Sequence, residues 1–245
     1  MADSPNVSLA APVRGVGEPW VEAVAFCPHP PVLVPAVAGR AAAEFAPLLD
    51  ACLDAVRWLV SRPRPLLILG SAHPAAPLPD FAPGLADPDL PPSDLPLSLA
   101  IGVWLVRRCD PGRIPLPLAV DAYGNLLGPV DAYGRPIGPP PDINEPVLLL
   151  VMGDGSARRG PKAPGYLDPR AEAFDTAVVG ALAAADVAGL AELDVPLAEE
   201  LLVGGVGPWR AVGRWAADGE WRAELRYASA AAGVQYVVAT WERLR

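Results

Sequence analysis

Three short apolar runs constrain the fold of this 245-residue chain most strongly. They are Val21–Phe26, Leu66–Leu69 and Val147–Met152, and Glu22 is the one charged residue among them. Continuous apolar runs of this length are typical of strands that are buried on both faces of a parallel sheet. We therefore predict three inner strands of a central sheet.

Amphipathic stretches lie between and after these runs. Residues 39–61 and 168–186 have the periodicity of helices, and we predict Asp168 as the N-cap of the second. Residues 97–109 are predicted to be a helix, with a strand as the alternative. Strands that alternate with helices predict an α/β fold, a single domain with a central mostly parallel sheet and helices on both faces. Two further strands are expected near the C-terminus.

The remaining segments set the predicted domain bounds. We expect residues 1–18 to be a flexible tail and residues 19–245 to form the α/β domain. Residues 73–96 are rich in proline, which stops helices and removes backbone donors, so they are expected to form a long loop. Residues 120–140 hold a near-tandem repeat, VDAYGNLLGP and VDAYGRPIGP, which predicts a hairpin-like loop insertion.

Composition narrows the classes of partner. The net charge of −9 disfavours a nucleic-acid or anionic-membrane partner, because both carry negative charge. No run approaches the roughly 18 apolar residues that a membrane span needs. The three cysteines are widely spaced, which is not the pattern of a disulfide framework, so a cytoplasmic protein is expected.

The candidate metal ligands follow the apolar runs. His29, His73 and Asp154 each come shortly after one of the three predicted strands. Ligands of α/β proteins bind beyond the carboxyl ends of such strands. Two imidazoles and one carboxylate are the ligand set of non-haem Fe(II) oxygenases. Prolines on both sides of His29 restrict its backbone, although a histidine after a strand is also commonly a hydrogen-bonded loop residue.

A second feature follows the third apolar run. Arg158, Arg159 and Lys162 form a compact positive cluster in a glycine-containing turn of an acidic chain. Exposed backbone N–H groups and cationic side chains predict an anion site, for a phosphate or for the carboxylate of an aromatic acid. The alternative is that these three charges are solvated and bind nothing.

Two segments carry a resemblance to a known family. The segment AFCPHPPVLVPAVAG resembles the N-terminal part of the class III (LigB-type) extradiol ring-cleavage dioxygenases and the related Memo proteins, and LLILGSAHPAAP resembles their second strand and its metal histidine. From about Val21 to Trp241 the chain is similar to a group of actinobacterial proteins that are known only as relatives of the class III extradiol dioxygenases.

The resemblance implies a LigB-like fold and His29 and His73 as ligands of Fe(II) or another divalent metal. It also implies oxidative cleavage of a small catechol-like aromatic substrate, and a possible homodimer. Ala157 stands near where the family has its acid–base histidine. The third ligand, expected near residues 198–209, has no motif match, and Asp154, Glu199 or Glu200 are the candidates. The alternative function is therefore a Memo-like metal-binding or non-catalytic relative.

Overall fold

Seven strands form one mixed sheet in the part of the chain that the computed structural model describes, residues 19–72 and 95–244. The order across the sheet is β4-β3-β2-β5-β1-β7-β6. The strands are β1 Trp20–Cys27, β2 Leu66–Ser71, β3 Leu116–Val120, β4 Leu126–Gly128, β5 Pro146–Met152, β6 Trp221–Ser229 and β7 Tyr236–Arg243. The predicted tail at residues 1–18 and most of the proline-rich loop, residues 73–94, lie outside the described residues.

The α/β class is confirmed, but the prediction of a mostly parallel sheet is wrong. β1 and β2 are each parallel to β5, and β3 is parallel to β2. The other three pairings, β1 with β7, β3 with β4 and β6 with β7, are antiparallel. The short connection at residues 230–235 explains the last of them, because a tight link can join only antiparallel neighbours.

Helices cover both faces of the sheet. They are α1 Pro35–Ala38, α2 Ala42–Val60, α3 Leu97–Cys109, α4 Ala171–Ala184, α5 Val187–Ala191, α6 Val195–Glu200 and α7 Val206–Trp215, with 3-10 turns at Pro31–Leu33, Gly39–Ala41 and Ala231–Gly233. Among the described residues, none of these helices has the length and apolar character needed to cross a membrane.

Side-chain alternation in the strands builds two cores. In β1, Ala25 and Cys27 pack with α2 and α3, whereas Val24 and Phe26 pack with α4 to α7. Trp104 of α3 fills the first core and Trp209 of α7 fills the second, and both are fully buried. The carboxyl ends of the four parallel strands therefore meet at one edge of the sheet, between two layers of helices.

The predicted helices occur, but one of them begins later than the sequence pattern predicts. Residues 97–109 are a helix, and the long helix expected in residues 39–61 is α2. Asp168 is not an N-cap, because α4 begins two residues later than predicted, after Arg170. The Asp168 carboxylate instead accepts hydrogen bonds from the backbone and side chain of Arg170.

The repeated sequence folds into two equivalent turns. The carboxylates of Asp121 and Asp131 each accept a hydrogen bond from the backbone N–H four residues ahead, of Asn125 at 2.8 Å and of Arg135 at 3.0 Å. Gly134 of the second turn lies against the carbonyl of Ala72, where a β-carbon would approach to 1.9 Å. The second turn therefore packs directly against the carboxyl end of β2.

Candidate functional site

His29 and Asp154 occupy equivalent positions on neighbouring strands. β1 pairs in parallel with β5, and the last residues of the two strands, Cys27 and Met152, are register partners. Each polar residue follows its strand by two positions, so the two side chains meet at the carboxyl edge. β2, on the other side of β5, ends at Ser71, and His73 follows it by two positions in the sequence. His73 itself lies outside the described residues.

The contacts between His29 and Asp154 are specific. The backbone N–H of His29 donates a hydrogen bond to Oδ1 of Asp154 at 2.8 Å. The imidazole Nε2 lies 3.8 Å from Asp154 Oδ2, which is longer than a hydrogen bond. The imidazole Nδ1 is buried and has no hydrogen-bond partner among the described residues. One carboxylate oxygen thus holds the backbone of His29, while the other faces its side chain.

Burial changes the electrostatics of this pair. The Asp154 side chain is 17% exposed. Removal from water raises the pKa of this carboxyl above its ordinary value, and the His29 side chain and the bond from the His29 backbone partly oppose the rise. A positive charge placed next to Asp154 would therefore be favourable, because it would compensate the loss of hydration of the carboxylate.

Glycines bring a third segment against the pair. The N–H of Gly205 donates to the carbonyl of Asp154 at 2.9 Å, and the N–H of Gly153 donates to the carbonyl of Cys27 at the same distance. A β-carbon on Gly204 would lie 3.1 Å from Cε1 and 3.3 Å from Nε2 of His29. The segment in which the family resemblance places a third ligand therefore lies beside the imidazole, but it contributes glycine there.

The two candidate glutamates have different surroundings. The Glu200 carboxylate is 61% exposed and forms an ion pair with Arg170 at 2.7 Å. Glu199 contributes to the wall of a cavity of about 350 Å³ beyond the ends of β2 and β3, together with Ser71, Ala72, Val120, Asp121, Ala122, Tyr123 and Leu127. Neither glutamate has a described contact with His29, whereas Asp154 does.

Arg159 belongs to a buried polar network. The Asp175 carboxylate is fully buried and accepts hydrogen bonds from the backbone N–H of Ser156 at 2.8 Å and from its hydroxyl at 2.6 Å. Arg159 donates to Asp175 at 3.1 Å and to the side-chain oxygen of Gln235 at 3.2 Å. These bonds attach the turn after β5 to α4 and to the start of β7.

The other two predicted anion ligands are arranged differently. A side-chain N–H of Arg158 donates to the carbonyl of Gly165, and its Nε is buried with no partner among the described residues. Lys162 is exposed. The guanidinium of Arg159 is thus engaged with a buried carboxylate, and Lys162 is the residue of the predicted cluster with the greatest access to solvent.

Tyr236 was missed by the sequence reasoning. The sequence offers Tyr123, Tyr133 and Tyr166 as substitutes for the missing acid–base histidine, and each of them is more than half exposed. Tyr236 is 4% exposed, and the β1–β7 ladder ends at the pair Phe26 and Ala239, where Phe26 lies three residues before His29 and Ala239 lies three residues after Tyr236. Burial raises the pKa of Tyr236, and the negative charge of Asp154 raises it further. The phenol near Asp154 therefore stays protonated.

The described residues supply part of a metal site. No group of three or more His, Cys, Asp or Glu side chains suited to a metal ion occurs within residues 19–72 and 95–244. Those residues supply two donors side by side, one imidazole and one buried carboxylate, and the imidazole has a nitrogen without a partner. Nitrogen and oxygen donors of this kind suit Fe(II), Zn(II) and related divalent ions.

Comparisons with known proteins add no assignment. No model of a known protein family matches the chain. No curated protein matches it either.

Proposed function

We propose that the chain binds one divalent metal ion, Fe(II) or a related ion, through His29, His73 and Asp154, in the manner of the LigB-like extradiol dioxygenases. The observation that carries the proposal is the 3.8 Å between Nε2 of His29 and Oδ2 of Asp154. This separation exceeds a hydrogen bond, yet it is within the ~4.2 Å that two metal–ligand bonds of about 2.1 Å can span.

The residues around the pair support such a site. Asp154 fixes the backbone of His29 by its hydrogen bond, which orients the imidazole before a ligand binds. Its carboxylate favours a nearby cation, since burial has removed part of its hydration. Gly204 leaves space beside Nε2 of His29, where any side chain would press on the ring.

The proposed reaction is oxygen-dependent oxidation of a small catechol-like aromatic. When bound, the metal would supply Lewis acidity and a template for the substrate and dioxygen. The cavity lies at the ends of β2 and β3, and β2 is the neighbour of β5 in the sheet. This cavity would accept the aromatic ring against Val120, Tyr123 and Leu127. Tyr236 would donate a hydrogen bond in place of the acid–base histidine that the family has near Ala157.

A non-catalytic metal-binding protein is the second candidate. Two observations favour it: Ala157 is half-buried and carries no acid–base group, and glycine lies beside His29 where the family has its third ligand. Loss of a positioned acid–base group lowers a rate by roughly 10² to 10⁴. Metal binding without ring cleavage is what such a loss produces.

Metal content after anaerobic purification tests the site. We expect about one divalent ion per chain in the wild type, as in sites with a full ligand set, and little in His29→Ala/His73→Ala. Asp154→Asn keeps the acceptor for the His29 N–H but weakens the metal ligand, so its metal content falls. Glu200→Gln is the matched control and retains the metal. The proposal would be contradicted if the metal content of His29→Ala/His73→Ala equalled that of the wild type. It would also be contradicted if Glu200→Gln lost the metal while the other variants kept it.

Oxygen consumption then separates the two candidate functions. The iron-loaded protein is given a panel of catechols, and oxygen uptake and ring-cleavage products are measured. Uptake that requires iron and falls in Tyr236→Phe supports the oxidation. Bound iron without uptake for any catechol supports the non-catalytic function.

A further inference from the structure

Strand β6 is an edge of the sheet. Among the residues that the structure describes, it pairs with β7 alone, and it is nine residues long. The backbone N–H and C=O groups on its outer side therefore have no strand partner within residues 19–72 and 95–244. An open edge of this length is a template for a strand from another chain.

The side chains of β6 alternate in charge along one face. Arg222, Glu224 and Arg226 lie on the α2 side of the sheet, where Arg226 donates to the Thr240 hydroxyl at 3.1 Å and its guanidinium carbon lies 5.9 Å from the centre of the Trp58 ring. Arg222 pairs with Glu242 of β7 and Glu224 pairs with Arg226 at 2.9 Å, but the side chains of Arg222 and Glu224 remain 71% and 63% exposed and can reach a second chain. Edges that resist pairing commonly carry charges such as lysine, whereas this edge carries both signs in alternation.

The opposite face of β6 is apolar. Trp221 and Ala223 pack on the second core, and Leu225 is 40% exposed. The strand therefore presents a row of alternating charges on one face and a row of apolar residues on the other.

We infer that two copies of this chain form a two-fold dimer by antiparallel pairing of β6, with Ala223 of each copy on the symmetry axis. In this register Arg222 lies opposite Glu224 of the second copy. On the other face Trp221 lies opposite Leu225. The two-fold axis doubles each of these pairs, so Arg222 and Glu224 of each copy face the opposite charge in the other.

The charge pattern selects this register over its neighbours. Pairing centred on Glu224 sets Glu224 against itself and Arg222 against Arg226, and pairing centred on Arg222 sets Arg222 against itself. Pairing centred on Leu225 keeps only the contact between Glu224 and Arg226. It also puts the irregularity between Leu225 and Tyr227 at the middle of the interface, where a bulge disrupts the ladder.

The helix beside β6 is compatible with a close neighbour. α4 packs against β6 and exposes a row of small residues at helical spacing: Ala173, Ala177, Gly180 and Ala184. Small residues on a helix surface allow another backbone to approach closely. The charge pattern of β6, rather than this row, carries the assignment of a second copy to the edge.

Sedimentation of the full chain over a range of concentrations tests the dimer. We expect the wild type to be dimeric. Arg222→Glu and Glu224→Arg each place like charges opposite one another at two symmetry-related positions, and each raises the dimer dissociation constant by about tenfold or more. Arg57→Glu, the same charge change at an exposed position of α2, is the control and leaves the dimer intact.

Mixing the two variants is the decisive step. Arg222→Glu has two negative residues at positions 222 and 224, and Glu224→Arg has two positive ones. At a concentration where the wild type is dimeric and each variant alone is largely monomeric, the mixture forms a heterodimer because Arg222→Glu and Glu224→Arg are complementary across the axis. A monomeric wild type would overturn the inference, as would a dimer that neither variant weakens, or variants that do not associate when mixed.

Amide hydrogen exchange provides a readout that does not depend on the variants. Pairing of β6 predicts that amides in residues 221–225 exchange more slowly as the wild-type concentration rises, while those of Arg222→Glu do not change. Exchange in β6 that is independent of concentration in a dimeric wild type would overturn the inference, because the dimer would then use another surface.

Discussion

The backbone N–H of His29 donates to the carboxylate of Asp154, and the imidazole of the same histidine lies 3.8 Å from the other carboxylate oxygen. The two residues are 125 positions apart in the chain and are adjacent because β1 and β5 are paired in parallel. This one relationship joins the sheet topology to the proposed metal site, and the first two predictions follow from it.

Asp154→Ala is expected to destabilise the protein more than Asp154→Asn. Alanine leaves the N–H of His29 without its acceptor in a partly buried position, which costs about 1 to 3 kcal/mol of the free energy of unfolding. Asparagine retains an oxygen acceptor and loses less. Urea unfolding of the metal-free variants measures the difference. Equal stability of the two variants would show that the hydrogen bond does not hold the loop.

Gly204→Ala is expected to weaken metal binding without unfolding the chain. Its β-carbon would press on the His29 ring at 3.1 Å and displace the imidazole. A displaced ligand lowers metal affinity by about tenfold or more. Titration with Co(II), followed by its visible absorption, measures the affinity. Gly160→Ala is the control, since a β-carbon at Gly160 meets nothing within 4 Å. Equal affinity in both variants would contradict the placement of the metal beside Gly204.

Asp175→Ala is expected to be strongly destabilising. It removes the acceptor of two bonds from Ser156 and leaves the largely buried Arg159 paired only with the exposed Glu172, at a cost of about 3 to 5 kcal/mol. Glu172→Gln is the matched control, because Glu172 also pairs with Arg159 but is 79% exposed. Its effect is at most about 1 kcal/mol. Similar unfolding midpoints for the two variants would contradict the structural role of the network.

The stabilisation from Asp168 is expected to disappear in acid. Hydrogen bonds from the Arg170 side chain, and then from its backbone, lower the pKa of Asp168 to about 2. A lowered carboxyl pKa stabilises the folded state above the ordinary value of about 3.9, and this contribution is lost as the pH falls towards 2. The urea midpoints of the wild type and Asp168→Asn should differ at pH 6 and converge near pH 2. A difference that persists at low pH would contradict the ionic origin.

Local patterns in the sequence were sufficient to predict part of this structure. Apolar runs predicted β1, β2 and β5, and the positions of His29 and Asp154 after two of them predicted that these residues belong to one edge. The observed β1–β5 pairing accounts for their contact. The long helices α2 and α4 followed from periodicity, although the start of α4 was predicted too early because Asp168 and Pro169 imitate a helix N-terminus.

Other features depend on contacts that no local pattern encodes. β3 was missed because Pro115 and Pro117 are poor strand residues, yet Pro117 pairs with Ile68 inside the sheet. The antiparallel insertion of β7 beside β1 and the burial of Tyr236 arise from pairing of residues that are more than 200 positions apart. Glu200, one of the predicted metal ligands, forms an ion pair with Arg170. This contact likewise could not be predicted from the sequence, because it depends on how the chain folds.

The most direct test of the proposed metal site is anomalous diffraction at the iron edge from crystals grown anaerobically with Fe(II). We expect one anomalous peak at the carboxyl edge of the sheet, about 2.1 Å from a ring nitrogen of His29 and within bonding distance of Asp154 and His73. An iron peak coordinated by Glu200, or the absence of any peak beside His29 in iron-containing crystals, would contradict it.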